Sequence, residues 1–147
     1  RSTYHDFNQT RCVFEKAILS RQSDCQHSHK FCLAEREGIA CQDNHQQRRC
    51  MNFLEMVRVK AQFILKLIRP DEPLPHAKEI RIQLGSLRGL AKKLDIPLKD
   101  NEIEDINSLL VQADEAYSGL SHYPFDDMIR TIKETQGRRK RHRGANS

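Results

Sequence analysis

The chain has 147 residues, 37% apolar and 31% charged, a length that fits one domain. Lysine and arginine number 25 against 20 acids. Because Arg138, Arg139, Lys140, Arg141 and Arg143 alone carry the net +5, residues 1–136 are neutral overall. This composition excludes a membrane protein, a collagen, a fully disordered chain and a globally basic, DNA-coating surface.

Taken in order, the chain reads as helices separated by clear punctuation, with no convincing strand. A first helical stretch begins near Asp6 and runs through Phe14, Ala17, Ile18, Arg21 and Cys25 at spacings of three and four. It continues after a break through Phe31, Cys32, Leu33 and Ala34 to Gly38, a residue suited to the left-handed position past a helix end. Asp43-Asn44-His45-Gln46 resembles a capping box. It opens a second helix over about 46–68, whose stripe runs Cys50, Phe53, Leu54, Val57, Ala61, Ile64, Leu65 and Ile68. Three prolines between Pro70 and Pro75 end that helix.

A third helix, about 76–94, carries Ile80, Leu84, Leu87, Leu90, Ala91 and Leu94 on one side. Gly85 and Gly89 share a face there, each costing roughly 1 kcal/mol of helix propensity. Close packing of another helix explains them better than a cofactor does. A fourth helix spans about 101–117, and a short fifth runs from Pro124 to Gln136. The expected fold is all-α, a compact bundle of about five helices in residues 1–137. Residues 138–147 then form a flexible, disordered basic tail.

All five cysteines fall between Cys12 and Cys50, and the remaining residues have none. Cys12, Cys25, Cys41 and Cys50 are spaced C-x12-C-x15-C-x8-C, with Cys32 inside the middle interval. No C-x-x-C is present, which counts against zinc ribbons, thioredoxin-like centres and c-type haem. Four readings stay open. Four thiolates converging on a [4Fe–4S] cluster need not be adjacent in sequence. Zinc would recruit His27, His29 or His45 in place of one cysteine. Disulfides suit neither the odd count nor the absence of an apolar leader after Arg1. Lastly, five cysteines can simply be buried. On one continuous helix Cys12 and Cys25 stand about 140° apart, so a shared site requires that stretch to be broken.

Cys12-Val13-Phe14-Glu15-Lys16-Ala17, Cys25, Leu33-Ala34-Glu35-Arg36-Glu37, Ile39-Ala40-Cys41 and Cys50 resemble a family of small, functionally uncharacterised bacterial helical proteins with four characteristically spaced cysteines. The likeness extends through Leu74-Pro75-His76-Ala77-Lys78-Glu79 and Ile82-Gln83-Leu84-Gly85-Ser86-Leu87, and so covers most of the chain. It implies that Cys12, Cys25, Cys41 and Cys50 form one constellation with Cys32 extra, and it implies no activity.

No catalytic residue is assigned. His76 with Glu79 is the one acid–base candidate, and a histidine in a first helical turn is commonly just solvated. The expectation is a cytoplasmic, non-catalytic protein that binds a [4Fe–4S] cluster, or alternatively zinc, through Cys12, Cys25, Cys41 and Cys50. It would serve electron transfer or redox sensing and dock to a larger partner. The alternatives are a regulator whose Arg138, Arg139, Lys140, Arg141 and Arg143 contact nucleic acid or an acidic partner, and a cofactor-free subunit of a larger assembly. The longest nearly apolar run, Phe63 to Ile68, is too short for the roughly 18–20 residues of a membrane span.

Overall fold

A computed structural model describes residues 10–65 and 76–135. The predicted Asp6 cap, the proline break after Arg69 and the basic tail lie outside the described residues. In chain order the elements are α1 (Glu15–Leu19), β1 (Ser28–Leu33), β2 (Arg36–Cys41), α2 (Asn44–Leu65), α3 (His76–Lys93), α4 (Ile106–Tyr117) and α5 (Phe125–Glu134). Single 3₁₀ turns lie at Lys99–Asn101 and Leu120–His122.

The all-α expectation is therefore wrong in the first third. The stretch read as a helix ending at Gly38 is an antiparallel hairpin, in register from Ser28↔Cys41 to Leu33↔Arg36. Gly38 lies within β2, opposite Phe31, and caps nothing. Tertiary contacts override weak strand propensity here. Ile39 is only 1% exposed. Its N–H donates to the buried Glu15 carboxylate at 2.7 Å, and its carbonyl accepts from Cys12 N–H at 3.0 Å. The Arg11 segment thus lies along the outer edge of β2, bridged at Arg11↔Ala40.

The hairpin turn uses Ala34 and Glu35 at φ +49° and +71°, a pair of left-handed residues that Asn-Gly fills at least cost. An Ala34→Asn/Glu35→Gly chain is expected to be about 1 kcal/mol more stable, read as a raised denaturation midpoint at an unchanged denaturant slope. An unchanged or lowered midpoint would show that the turn is not limiting.

The required break in the first stretch is present. Cys12 directly follows the Arg11 bridge to β2, α1 lasts five residues, and Arg21 turns left-handed at φ +66°. Residues around Ser23 then pair in parallel with Ile103. That pairing, with the 3₁₀ turn at Lys99–Asn101 just before it, takes up the start of the predicted fourth helix, so α4 begins only at Ile106. Asp105 caps it, accepting from Asn107 N–H at 3.2 Å.

The remaining helices follow their apolar stripes. Phe14, Phe53, Ile106, Leu110, Met128 and Ile129 are all buried in one core that also contains Cys12 and Cys50. Glu79 is buried and bound by Arg58 and by Gln83, whose Nε2 donates at 2.8 Å. Gln83 Oε1 in turn accepts from Ala17 N–H at 3.0 Å, which ties α1, α2 and α3 together. That engagement, with His76 exposed, removes the His76–Glu79 acid–base candidate.

Gly85 and Gly89 serve close helix packing. A Cβ on Gly85 would lie 2.6 Å from Ile132 Cα, and one on Gly89 would lie 2.7 Å from Met128 Cα. The obstacle is backbone, so α3 and α5 must separate to admit a methyl group. Gly85→Ala is expected to cost roughly 1–3 kcal/mol of overpacking, of which about 1 kcal/mol returns as helix propensity. A midpoint equal to or above wild type in denaturant unfolding would refute this contact.

Candidate thiol site

Each site cysteine reaches the site from a different local structure. Cys12 belongs to the extended segment hydrogen-bonded to Ile39. Cys25 lies in the turn before β1, where its carbonyl accepts from Ser28 N–H at 3.0 Å and from Ser28 Oγ at 2.8 Å. Cys41 ends β2. The hairpin register of Ser28 against Cys41 puts these last two at the same end of the sheet. Cys50 comes from α2, four residues after Gln46 and so on the same helical face.

The four thiols line one pocket, with Phe14, His27, Gln46 and Ile106 among its other walls. The open space is about 10 Å³, roughly what a single water occupies. Cys12, Cys41 and Cys50 are buried, while Cys25 is half-buried. Cys32 stands apart and exposed on β1, paired across the strands with Glu37. All five are free thiols. Of the histidines considered for zinc, only His27 lines the pocket, with Nε2 3.8 Å from Asp43 Oδ2. The four sulfurs share a pocket without closing on one point. Among the described residues no three Cys, His, Asp or Glu side chains are set around a single ion.

Desolvation dominates the electrostatics. Burial pushes the Cys12 thiol up to about 12, against the opposing N–H of Phe14. Burial raises Cys50 strongly too, opposed by the Gln46 side chain. Cys25 is raised by burial and opposed by the N–H groups of His27 and Asn107. The sulfurs also act on one another: Cys12, Cys25 and Cys41 each raise Cys50. Cys41 Sγ donates to the Asp43 carbonyl at 3.2 Å.

The arrangement is thus a sulfur-lined, largely dry pocket in which burial holds Cys12, Cys25 and Cys50 protonated, with N–H groups placed to receive negative charge on those three. The start of α2, capped by Asp43, and the start of α4 both border it, adding positive dipole ends. Thiols raised in this way are unreactive as they stand and can ligate a metal only by losing their protons.

Cys12, Cys25, Cys41 and Cys50, the four that the family resemblance groups together, all line this pocket. The sequence pattern treated Gln46 only as half of a capping box. The backbone N–H of Gln46 does donate to Asp43 Oδ1 at 3.0 Å, but its side chain turns forward to Cys50 Sγ at 3.0 Å. The i, i+4 spacing of Gln46 and Cys50 was the available signal.

A larger groove of about 870 Å³ lies alongside, floored by Ile39, Ile96 and Ile103 and rimmed by both signs of charge, including Asp24, Lys30, Lys99 and Glu104. Its lining contains no cysteine or histidine. No helix among the described residues is long and apolar enough to cross a membrane. No protein-family model, curated protein or solved structure matches the chain, and the grouped thiols are the feature from which function is argued.

Proposed function

We propose that Cys12, Cys25, Cys41 and Cys50 together hold a [4Fe–4S] cluster and that the chain serves electron transfer or redox sensing beside a larger protein partner. The observation that carries this is the meeting of four thiols from four separate segments in one pocket, with the fifth thiol exposed elsewhere. Burial alone would account for Cys12, Cys41 and Cys50 as small apolar core residues. It does not account for half-buried Cys25 joining them, or for the N–H groups acting on Cys12, Cys25 and Cys50.

The donor chemistry suits the group, since iron–sulfur clusters are held by cysteine thiolates, and the thiols would have to spread from their present space of about 10 Å³ to admit it. When bound, a cluster supplies one-electron chemistry. The chain's residues would hold it by four sulfurs, exclude water with Phe14 and Ile106, and offset its negative charge with N–H groups. Cys25, the least buried of the four, gives the shortest route for charge to the surface. A cytoplasmic setting, where thiols stay reduced, suits this use.

The narrow space between the sulfurs favours a second reading, a single zinc ion bound by the same four thiolates. The deciding experiment is the visible spectrum with iron and zinc content of full-length chain purified without oxygen. A brown protein with about four irons, bleached by reduction, supports the cluster. A colourless protein with about one zinc supports the second reading. A metal-free protein that takes up neither metal when offered overturns both.

A further inference from the structure

We propose that Gln46 is a positioning residue that fixes Cys50 in the pocket and supports negative charge on its sulfur, and that Arg49 in turn holds Gln46. This rests on the metal–thiolate reading of the pocket. Gln46 is 3% exposed, and a buried amide must have its donors and acceptors engaged. Its Nε2 donates to Cys50 Sγ at 3.0 Å. Its Oε1 accepts from Arg49 Nη1 at 3.3 Å. Arg49 also lies 3.4 Å, Nε to Oδ2, from Asp114, which accepts the Tyr123 hydroxyl at 2.5 Å.

The side chain has given up a competing role. In a capping box this glutamine would reach back to the cap residue's N–H, yet here only its backbone serves the cap. The guanidinium on Oε1 polarises the amide and strengthens the opposite N–H as a donor, since linked hydrogen bonds reinforce one another. A sulfur that ligates a metal, or that gains charge on reduction, accepts this N–H more strongly than a neutral thiol does. The expected consequences are a tighter metal and a higher reduction potential. The relay from Cys50 through Gln46 and Arg49 to Asp114 and Tyr123 also anchors the pocket to the far end of α4.

The test uses the full chain with thiols reduced and Co²⁺ as a coloured probe of thiolate ligation. Gln46→Met keeps the length and loses the donor; Gln46→Glu keeps the shape and replaces the donor by an acceptor. Both are expected to bind Co²⁺ roughly 10–100-fold more weakly than wild type, the usual cost of losing a partner behind a ligand. In iron-loaded chain, Gln46→Met is expected to lower the reduction equilibrium constant about tenfold, or 59 mV for one electron. Far-UV circular dichroism establishes that each variant is folded, and if one is not, the other carries the test. Wild-type affinity and potential in a folded variant overturn the role of Gln46 alone. A wild-type chain that binds neither cobalt nor iron overturns the metal reading, and this role with it.

Discussion

Serine at position 12, 25, 41 or 50 is expected to strip the metal from the purified chain, and serine at position 32 to leave it. The chemistry is that of ligand exchange: a hydroxyl has nearly the shape of a thiol but is a poor soft donor. A cluster or zinc centre that loses one of four ligands loses the geometry that retains it. Cys32 is exposed on β1, away from the pocket, so Cys32→Ser should change stability by no more than about 0.5 kcal/mol. The four site variants also separate by burial. Cys50 and Cys12 are 5% and 8% exposed, so a hydroxyl there is buried as well as a poor ligand. That adds roughly 1–3 kcal/mol of destabilisation where it finds no partner. Half-buried Cys25 should lose metal with the smallest loss of stability. Metal content and unfolding midpoints of the five variants, measured side by side, test the pattern. A site variant with full metal, or a Cys32→Ser chain without it, would refute the ligand assignment.

The site was legible in the sequence further than the fold that builds it. The family resemblance, not the spacing, set Cys32 apart from the four cysteines that line one pocket, and the difficulty of joining Cys12 to Cys25 on one helix pointed to a break that the structure contains. The nature of the break was hidden. Phe31-Cys32-Leu33-Ala34 has the composition of a helix turn, and the hairpin turn at Ala34-Glu35 carries no Asn-Gly signal. What makes β2 a strand is distant: the Glu15 carboxylate on Ile39 N–H, and the Arg11 segment along its edge. Periodicity within a window cannot register such partners. Where the window contained the cause, the reading was good. Asp43 capped α2, the apolar stripes located α3 and α5, and Gly85 with Gly89 marked a close helix contact.

Raising the pH from 8 to 10 is expected to destabilise the metal-free chain and to favour metal uptake, two responses of opposite sign from the same thiols. In the folded state burial raises the Cys12 thiol from its ordinary 9.0 to about 12, and it raises Cys50 strongly as well. A raised folded pKa gives stability that is fully present below the unfolded value and is lost as pH rises toward the folded one. Unfolded thiols ionise above about pH 9 while the buried ones do not, so each unit of pH in that window costs about 1.4 kcal/mol per thiol. By pH 10 the two thiols together remove about 3 kcal/mol, a fall in Tm on the order of 10 °C. A Cys12→Ala/Cys50→Ala chain should lack that share of the decline. Metal ligation instead requires the same protons to leave. Burial holds Cys12, Cys25 and Cys50 protonated at neutral pH, so uptake should release about three protons or more. Affinity should then rise steeply, by up to roughly 10³-fold per pH unit. Co²⁺ titrations at pH 6, 7 and 8, with proton release followed by indicator dye, measure both quantities. Uptake that releases no protons, with affinity flat across that range, would show that metal binds somewhere other than these buried thiols.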